Sequence, residues 1–424
     1  MQVYIESYGC SANQNNSEII SGLLQRSGFI IVNDPKNADI LILNTCVVKG
    51  ATERKMRSRI EELLKIKKKL IVTGCMPDVE AKIIKSISPE IVLVGNHAIK
   101  EIVNAVRRMI EGNPIDYITK NNEIKLCLPK APINRVIGIT QISEGCLGNC
   151  AYCYTRYAKG SLFSYPKDLI LKSVEADLKA GMKEIWITSQ DNAAYGLDNN
   201  KRELPALLKS ILNLRHRFML RLGMMNPDNV MKILPDLIDV YEDKKMFKFI
   251  HIPVQSGSDN VLESMRRRYK AKDFVRIVKA FREKFSDITI ATDVICGFPS
   301  ESEEDFQKTI DLIDEIKPDV MNISKFTSMP NTLASRMKQL NSEVVKKRSI
   351  ILTILHRKFL IEKNKGLVGK VLRCIIDEKE GDRIIARTPS YRKVIVNSGN
   401  IGDIADVEIT GYTENLLIGK IKSR

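Results

Sequence analysis

Short apolar runs alternate with amphipathic stretches along the first part of the chain. MQVYIES, IIVND, ADILILNT, KLIVTG and EIVLVG read as strands. Between them lie a helical stretch over 17–27 stopped by Gly28, a long basic helix from about 51 to 68, the short helix VEAKIIKSI, and a helix near 99–110. Strands this short, separated by helices, predict a mostly parallel α/β sheet domain over residues 1–115. The polar stretch 111–134, with Pro114, Pro129 and Pro132, predicts a linker. A second series follows: IGITQIS, EIWITSQ, FMLRLG, FKFIHIPV, DITIATDVICG and DVMNISKF as strands, with helices over 166–180, 228–241 and 302–316 among those between them. Six successive βα units predict a partial (β/α)6 barrel over 132–364, although a doubly wound sheet fits the same pattern. A helix over 342–363 leads to VGKVLRCIID, RIIARTP, KVIVN, DIADVEITGYT and LLIGKI, separated by turn residues. Residues 365–424 are therefore expected to form a small all-β barrel. The fold class is multidomain α/β.

Composition narrows the picture only slightly. With 424 residues, 44% hydrophobic and 28% charged, the chain is an ordinary globular one of two or three domains. The amino terminus has no basic segment followed by an apolar one, and no apolar run could span a bilayer, so no membrane association and a cytoplasmic location are expected. A net charge of +16 suits a polyanionic partner, and equally a lysine-rich solvated surface.

The nine cysteines change the picture more, because in a reducing compartment clustered thiols bind metal or do chemistry. Cys146, Cys150 and Cys153 lie in EGCLGNCAYC, just past the first strand of the second domain. Three thiolates on one loop can hold three irons of a [4Fe–4S] cube and leave the fourth open for a small molecule. A zinc knuckle short of one ligand and a redox loop are the competing readings. Cys10, Cys46 and Cys75 each follow a predicted strand. The carboxyl ends of parallel strands share one edge, so these thiols would converge on a second site; unrelated small residues at strand ends are the plain alternative. Cys127, Cys296 and Cys374 have no partner at ligand spacing and read as structural.

These motifs give the chain a resemblance to the radical S-adenosylmethionine methylthiotransferases over essentially its whole length. SYGCSANQNNSE, LNTCVVKGATE and VTGCMP resemble their amino-terminal module. ISEGCLGNCAYC, HIPVQSGSD and TDVICGFPSE resemble their radical core, and the end resembles the RNA-binding TRAM barrel. GCLGNCAYCYTRYAKGSLFSYP and RLGMMNPDNV look like the branch that modifies N6-threonylcarbamoyladenosine in tRNA, beside the anticodon. Other branches act on isopentenyladenosine in tRNA or on an aspartate of a ribosomal protein. Lys159 stands where many members carry Arg.

The resemblance implies two [4Fe–4S] clusters, S-adenosylmethionine, a tRNA anticodon stem-loop as substrate, an electron donor protein and a sulfur donor. One S-adenosylmethionine would supply a methyl group to sulfur, and a second would yield the radical that removes hydrogen from C2 of the adenine. Such a cofactor is expected across the carboxyl ends of the barrel strands. Tyr152 is a candidate contact for its adenine, and Ser189, Gln190 and Asp191 for its amino group. His251 and Gln255 are candidates for ribose or substrate, His251 equally for a core hydrogen bond. Arg221 is a candidate partner for a carboxylate. Arg266, Arg267 and Arg268 read as a solvated face or a phosphate contact. Arg387, Tyr391, Arg392 and Lys393 combine basic and aromatic character and are candidate RNA contacts, or a solubilising loop. A non-catalytic iron–sulfur RNA-binding protein remains a competing class; it would bind RNA without cleaving S-adenosylmethionine.

Overall fold

The computed structural model describes residues 1–47 and 50–422. Val48 and Lys49 of the LNTCVVKGATE motif, and Ser423 and Arg424 of the last segment, lie outside the described residues. The first domain runs β1 (Gln2–Ser7), α1 (Ser11–Arg26), β2 (Ile30–Val32), β3 (Ile40–Thr45), α2 (Gly50–Leu64), β4 (Lys69–Gly74), α3 (Cys75–Ile87), β5 (Val92–Gly95) and α4 (Ile102–Ile110). Its five strands form a parallel sheet in the order β2-β1-β3-β4-β5. All six residues of the central strand β3 are buried, as a strand covered on both faces requires. Ser7 pairs with Asn44, and Thr45 with Gly74, so β1, β3 and β4 end level with one another.

Helix α1 starts at Ser11, several residues before the expected 17, directly after Cys10. The sequence ANQNNS has the composition of a loop, but Asn13, Asn15 and Asn16 are buried. Asn13 Nδ2 donates to the carbonyls of Tyr8 and Thr45, and Asn44 Nδ2 donates to Asn13 O and Ser17 Oγ. Buried polar side chains that find partners in this way cost little. The stretch 111–134 has no regular element, as expected, yet it is strapped down. Tyr117 exchanges backbone hydrogen bonds with Leu93 and Gly95, Ala131 N donates to Glu18 O, and Lys125 is buried.

The second domain contains β6 (Ile137–Gln141), β7 (Ser143–Glu144), α5 (Thr155–Lys159), β8 (Phe163–Ser164), α6 (Lys167–Lys179), β9 (Glu184–Thr188), α7 (Leu204–Leu212), β10 (Met219–Leu222), α8 (Pro227–Val230), α9 (Leu234–Tyr241), β11 (Phe249–His251), α10 (Asp259–Ser264), α11 (Ala271–Lys284), β12 (Thr289–Cys296), α12 (Glu303–Ile316), β13 (Val320–Lys325) and α13 (Ser342–Lys365). Strands β6, β9 and β10 form one parallel sheet and β11, β12 and β13 another; a bridge from Leu220 to Met246 joins the two halves. This is the partial barrel, with helices outside. The helix expected over 228–241 is split into α8 and α9; Pro235 stands in the first turn of α9, where its missing N–H costs nothing.

Strands β14 (Val371–Glu380), β15 (Arg383–Arg387), β16 (Lys393–Val396), β17 (Ile404–Tyr412) and β18 (Leu417–Ile421) close a barrel in the order β14-β15-β16-β18-β17. This barrel seats against the amino-terminal ends of the (β/α) strands. The Tyr391 ring packs 4.9 Å from Phe247, 5.0 Å from Phe249 and 6.4 Å from Trp186. Val136, Ala291 and Ile375 complete that apolar patch.

This docking gives the four residues read as RNA contacts partners within the protein. Arg387 is 8% exposed, ion-paired to Asp377 at 2.7 Å and stacked 4.5 Å from the Tyr391 ring. Arg392 pairs with Asp319, just before β13, and Lys393 with Glu378 and Glu380. A basic and aromatic stretch suits a base and a domain interface alike.

Glu184, at the start of β9, lies in the same joint and is fully buried. Burial first, and Asp377 second, push its carboxyl up to about 8, against the pull of Arg387. Its folded value lies above the unfolded one, so the stability it contributes is full below about pH 4.5 and is lost as pH rises through about 8. The expected slope is on the order of 1 kcal/mol per pH unit over that window. Glu184→Gln should flatten it and be the more stable protein above pH 8, as measured by denaturant midpoints across the pH range.

Candidate active site

The loop from Cys146 to Cys153 is shaped from both sides. Strands β7 and β8 pair antiparallel at its ends, Glu144 opposite Phe163. Gly145 sits at φ +76°, and a Cβ there would come 2.0 Å from the Ser161 carbonyl oxygen, so only glycine fits. Gly145 N donates to Gln190 Oε1 at 2.8 Å, and Ala151 N to Met265 O at 3.0 Å. A Cβ built on Gly148 would lie 3.3 Å from Cys146 Sγ and 3.7 Å from Cys150 Sγ, so both sulfurs border one small space. Burial pushes the Cys146 thiol up to about 12, with Asp191 adding to it. A cation binding there must displace the protons.

In the first domain, Cys10 caps α1, Cys46 follows β3 and Cys75 opens α3. Gly9 approaches Cys46 so closely that an added Cβ would lie 3.1 Å from its Sγ, which brings Cys10 beside Cys46. Cys75 Sγ is 3.8 Å from Asn13 Oδ1, and the Nδ2 of the same side chain bonds to Thr45 O next to Cys46. Asn13 thus ties the three segments together. Burial raises the Cys75 thiol to about 12; Cys46 and Cys10 raise it further and Lys159 opposes them.

Among the described residues, no group of three or more Cys, His, Asp or Glu side chains is gathered to hold a single metal ion. A four-iron cube takes each thiolate on a different iron and so accepts a wider spread, which fits three sulfurs around a loop or along a sheet edge.

The two thiol groups are joined by a buried ionic cluster that the sequence did not reveal. Glu144 accepts from Lys125 Nζ at 2.8 and 3.0 Å and from Lys159 Nζ at 3.0 Å, and all three side chains are 1% exposed. Asn96, from the first domain, bonds to both Glu144 and Lys159. Burial alone would raise the Glu144 carboxyl, but the two lysines outweigh it and hold it well below the usual carboxylate range. Lys159 ends α5 behind the cysteine loop, and the Cys75 and Cys10 thiols are among the groups that bear on its charge.

The other expected contacts divide. Tyr152 packs beside Val261, Met265 and Phe298. Ser189 is 9% exposed, and its Oγ has no hydrogen-bond partner among the described residues. Gln190 and Asp191, read as ligands of an amino group, have partners within the protein. Gln190 Oε1 holds Gly145 N, while Asp191 accepts from Asn226 N, Asn226 Nδ2 and Asn229 Nδ2, which anchors the start of α8. The Arg221 guanidinium lies over the rings of Trp186, Phe249 and Tyr391 at 4.9 to 5.1 Å, against the β-barrel joint, where it also acts on the Glu184 carboxyl. His251 Nε2 meets Asp293 Oδ2 at 3.1 Å, and Asn322 Nδ2 donates to Asp293 Oδ1 at 2.6 Å, so a polar line crosses β11, β12 and β13. Gln255 adopts φ +67° and bonds through its backbone to Asp293 and Ile295. In the run Arg266-Arg267-Arg268, Arg266 and Arg268 are exposed, and Arg267 Nη1 donates to Cys150 Sγ at 3.2 Å. Cys296 and Cys374 are buried, whereas Cys127 is exposed.

Comparison with known sequences places three families along the chain: an uncharacterised protein family, UPF0004, over residues 2–95, the radical SAM superfamily over 140–313, and the TRAM domain over 365–422. A probable threonylcarbamoyladenosine tRNA methylthiotransferase of Pyrococcus abyssi is 40% identical over the whole of both chains. The threonylcarbamoyladenosine tRNA methylthiotransferase of Homo sapiens is 33% identical over 99% of this chain and 74% of its own. Among solved structures, the radical S-adenosylmethionine methyltransferase TsrM from Kitasatospora setae, with cobalamin and a [4Fe–4S] cluster bound, superposes with a TM-score of 0.57 at 13% identity, covering 78% of this chain and 73% of that one. That likeness is one of fold.

Proposed function

The chain belongs to the threonylcarbamoyladenosine tRNA methylthiotransferase family, and from that premise we propose that it transfers a methylthio group to C2 of N6-threonylcarbamoyladenosine in the anticodon loop of tRNA. Membership of the radical SAM superfamily brings S-adenosylmethionine and a [4Fe–4S] cluster. Cys146, Cys150 and Cys153 are the thiolates proposed to hold that cluster, and Cys10, Cys46 and Cys75 those proposed to hold a second one. When bound, the two groups supply one-electron cleavage of S-adenosylmethionine at the first site and a carrier for sulfur at the second.

What supports the reading is that both sets of three cysteines follow strand ends in adjoining domains, which meet where Asn96 of the first bonds to Glu144 and Lys159 of the second. The protein's own residues have clear tasks in it. Gly145 and Gln190 set the cysteine loop, and Asn13 aligns the three segments of the first domain. The buried Ser189 hydroxyl is the group proposed to meet the cofactor, with Tyr152 against its adenine. His251, held by Asp293, is proposed to orient the substrate side. An unpaired anticodon-loop base can be turned into such a site without breaking a duplex. The proposed functional units are 1–115, 132–364 and 365–424. An electron donor protein and a sulfur donor complete the scheme. The proposed location is cytoplasmic; no helix among the described residues is long and apolar enough to cross a membrane.

The test is mass spectrometry of nucleosides from tRNA carrying threonylcarbamoyladenosine, after anaerobic incubation with reconstituted protein, S-adenosylmethionine, reductant and sulfide. The methylthio nucleoside is expected from the parent chain, and neither it nor deoxyadenosine from Cys150→Ala. Deoxyadenosine without the methylthio product would overturn the substrate. It would then send the search to isopentenyladenosine tRNA or the ribosomal protein. RNA binding with no cleavage at all would leave the non-catalytic class.

A further inference from the structure

Arg267 lies between α10 and α11, in the run Arg266-Arg267-Arg268, and its neighbours leave its charge little choice of direction. Nη1 donates to Cys150 Sγ at 3.2 Å, Nε to Tyr269 Oη at 3.2 Å, and Nη2 to Asn226 Oδ1. The guanidinium carbon sits 4.9 Å from the centre of the Tyr269 ring. Tyr269 Oη is itself fixed on the carbonyls of Pro253 and Val254, and Asn226 on Asp191. Among the described residues no carboxylate forms an ion pair with Arg267, whereas Arg57, Arg59, Arg348, Arg387 and Arg392 each have one. A full positive charge is thus held in a half-buried place by a ring, a phenol and an amide, and aimed at one sulfur.

We propose that Arg267 is a tuning residue for the cluster at Cys146, Cys150 and Cys153: its charged hydrogen bond to the Cys150 sulfur raises the reduction potential of that cluster. The inference rests on the reading of those three cysteines as cluster ligands. Its physics is simple. One-electron reduction adds negative charge to the cluster and its sulfurs. A nearby cation and an N–H donor stabilise the reduced form more than the oxidised one, the more so away from bulk water. Asp191 and Asn226 hold the guanidinium in register, which gives the strand ends of β9 and β10 a share in the same task.

The experiment uses the full-length chain carrying Cys10→Ala, Cys46→Ala and Cys75→Ala, so that a single cluster is read. Iron and sulfide content and a redox titration followed by electron paramagnetic resonance are measured for this parent, for Arg267→Gln and for Arg267→Lys. Arg267→Gln should keep its iron yet lower the ratio of reduced to oxidised cluster at least tenfold at a fixed potential, about 59 mV for one electron. Arg267→Lys should stay near the parent. Equal midpoints for Gln and parent at equal iron content would overturn the inference. A parent that takes up no iron would overturn the cluster reading itself. If Arg267→Gln loses its iron, the parent decides alone. With guanidino-15N arginine and no S-adenosylmethionine, its reduced cluster should show a 15N coupling, and the absence of that coupling would overturn the inference.

Discussion

Glu144→Gln is expected to lower the unfolding free energy by about 3–5 kcal/mol, the usual result of stripping one partner from a buried ion pair. Glu144 is the carboxylate held between Lys125 and Lys159, and both lysines are 1% exposed. His97 also lies in the cluster, and burial lowers its pKa. Without the carboxylate, two ammonium groups face each other in a water-poor joint. The neutral amide cannot compensate them. Glu144 also stands directly before Gly145 and Cys146, so the loss should open the loop and the domain joint together. Urea unfolding followed by tryptophan fluorescence and by iron release should show both events at a lower midpoint. Adding Lys125→Met should recover part of the loss, because it removes one of the two uncompensated charges. A single variant within 1 kcal/mol of the parent would sink the account.

Tyr391→Ala should be nearly as damaging, at about 3–5 kcal/mol, as for a large aromatic cut from a core. Its ring fills the space between Phe247, Phe249 and Trp186 and carries Arg221 and Arg387 on its faces. Two guanidinium groups would lose their aromatic platform at once. The joint between the β-barrel and the (β/α) strands should loosen first, seen as faster hydrogen exchange in β15 and β16. Affinity for an anticodon stem-loop should change much less than stability. A large loss of RNA binding in a chain that stays folded would restore Tyr391 as a base contact.

Much of this was legible because it depends on local pattern. The buried run ILILNT, the alternation of strands and helices, and the spacing of Cys146, Cys150 and Cys153 each follow from neighbours in sequence. The level ends of β1, β3 and β4, after which Cys10, Cys46 and Cys75 come, could also be anticipated, since parallel strands end on a common edge. The start of α1 was not legible, because its asparagines read as a loop until Thr45 and Asn44 partner Asn13 and Asn96 partners Asn16. The same limit applied to the polar side chains near the thiols. Asp191 and a free carboxylate look alike in sequence; three donors from α8 and the residue before it make Asp191 a brace.

Sequence alone therefore determined the order of the three domains, the parallel sheet and the cysteines following predicted strands, while the choice of a partial barrel over a doubly wound sheet came from the structure. Tertiary structure alone decided that Lys125, Glu144 and Lys159 share one dry site although 15 to 34 positions separate them. It also turned Arg387, Tyr391 and Arg392 toward the barrel, and Arg267 toward Cys150. The physical reason is that periodicity and spacing record which face of an element is apolar. The partner of a charge is settled by whatever the chain brings within hydrogen-bond reach, and that depends on packing between elements far apart in sequence.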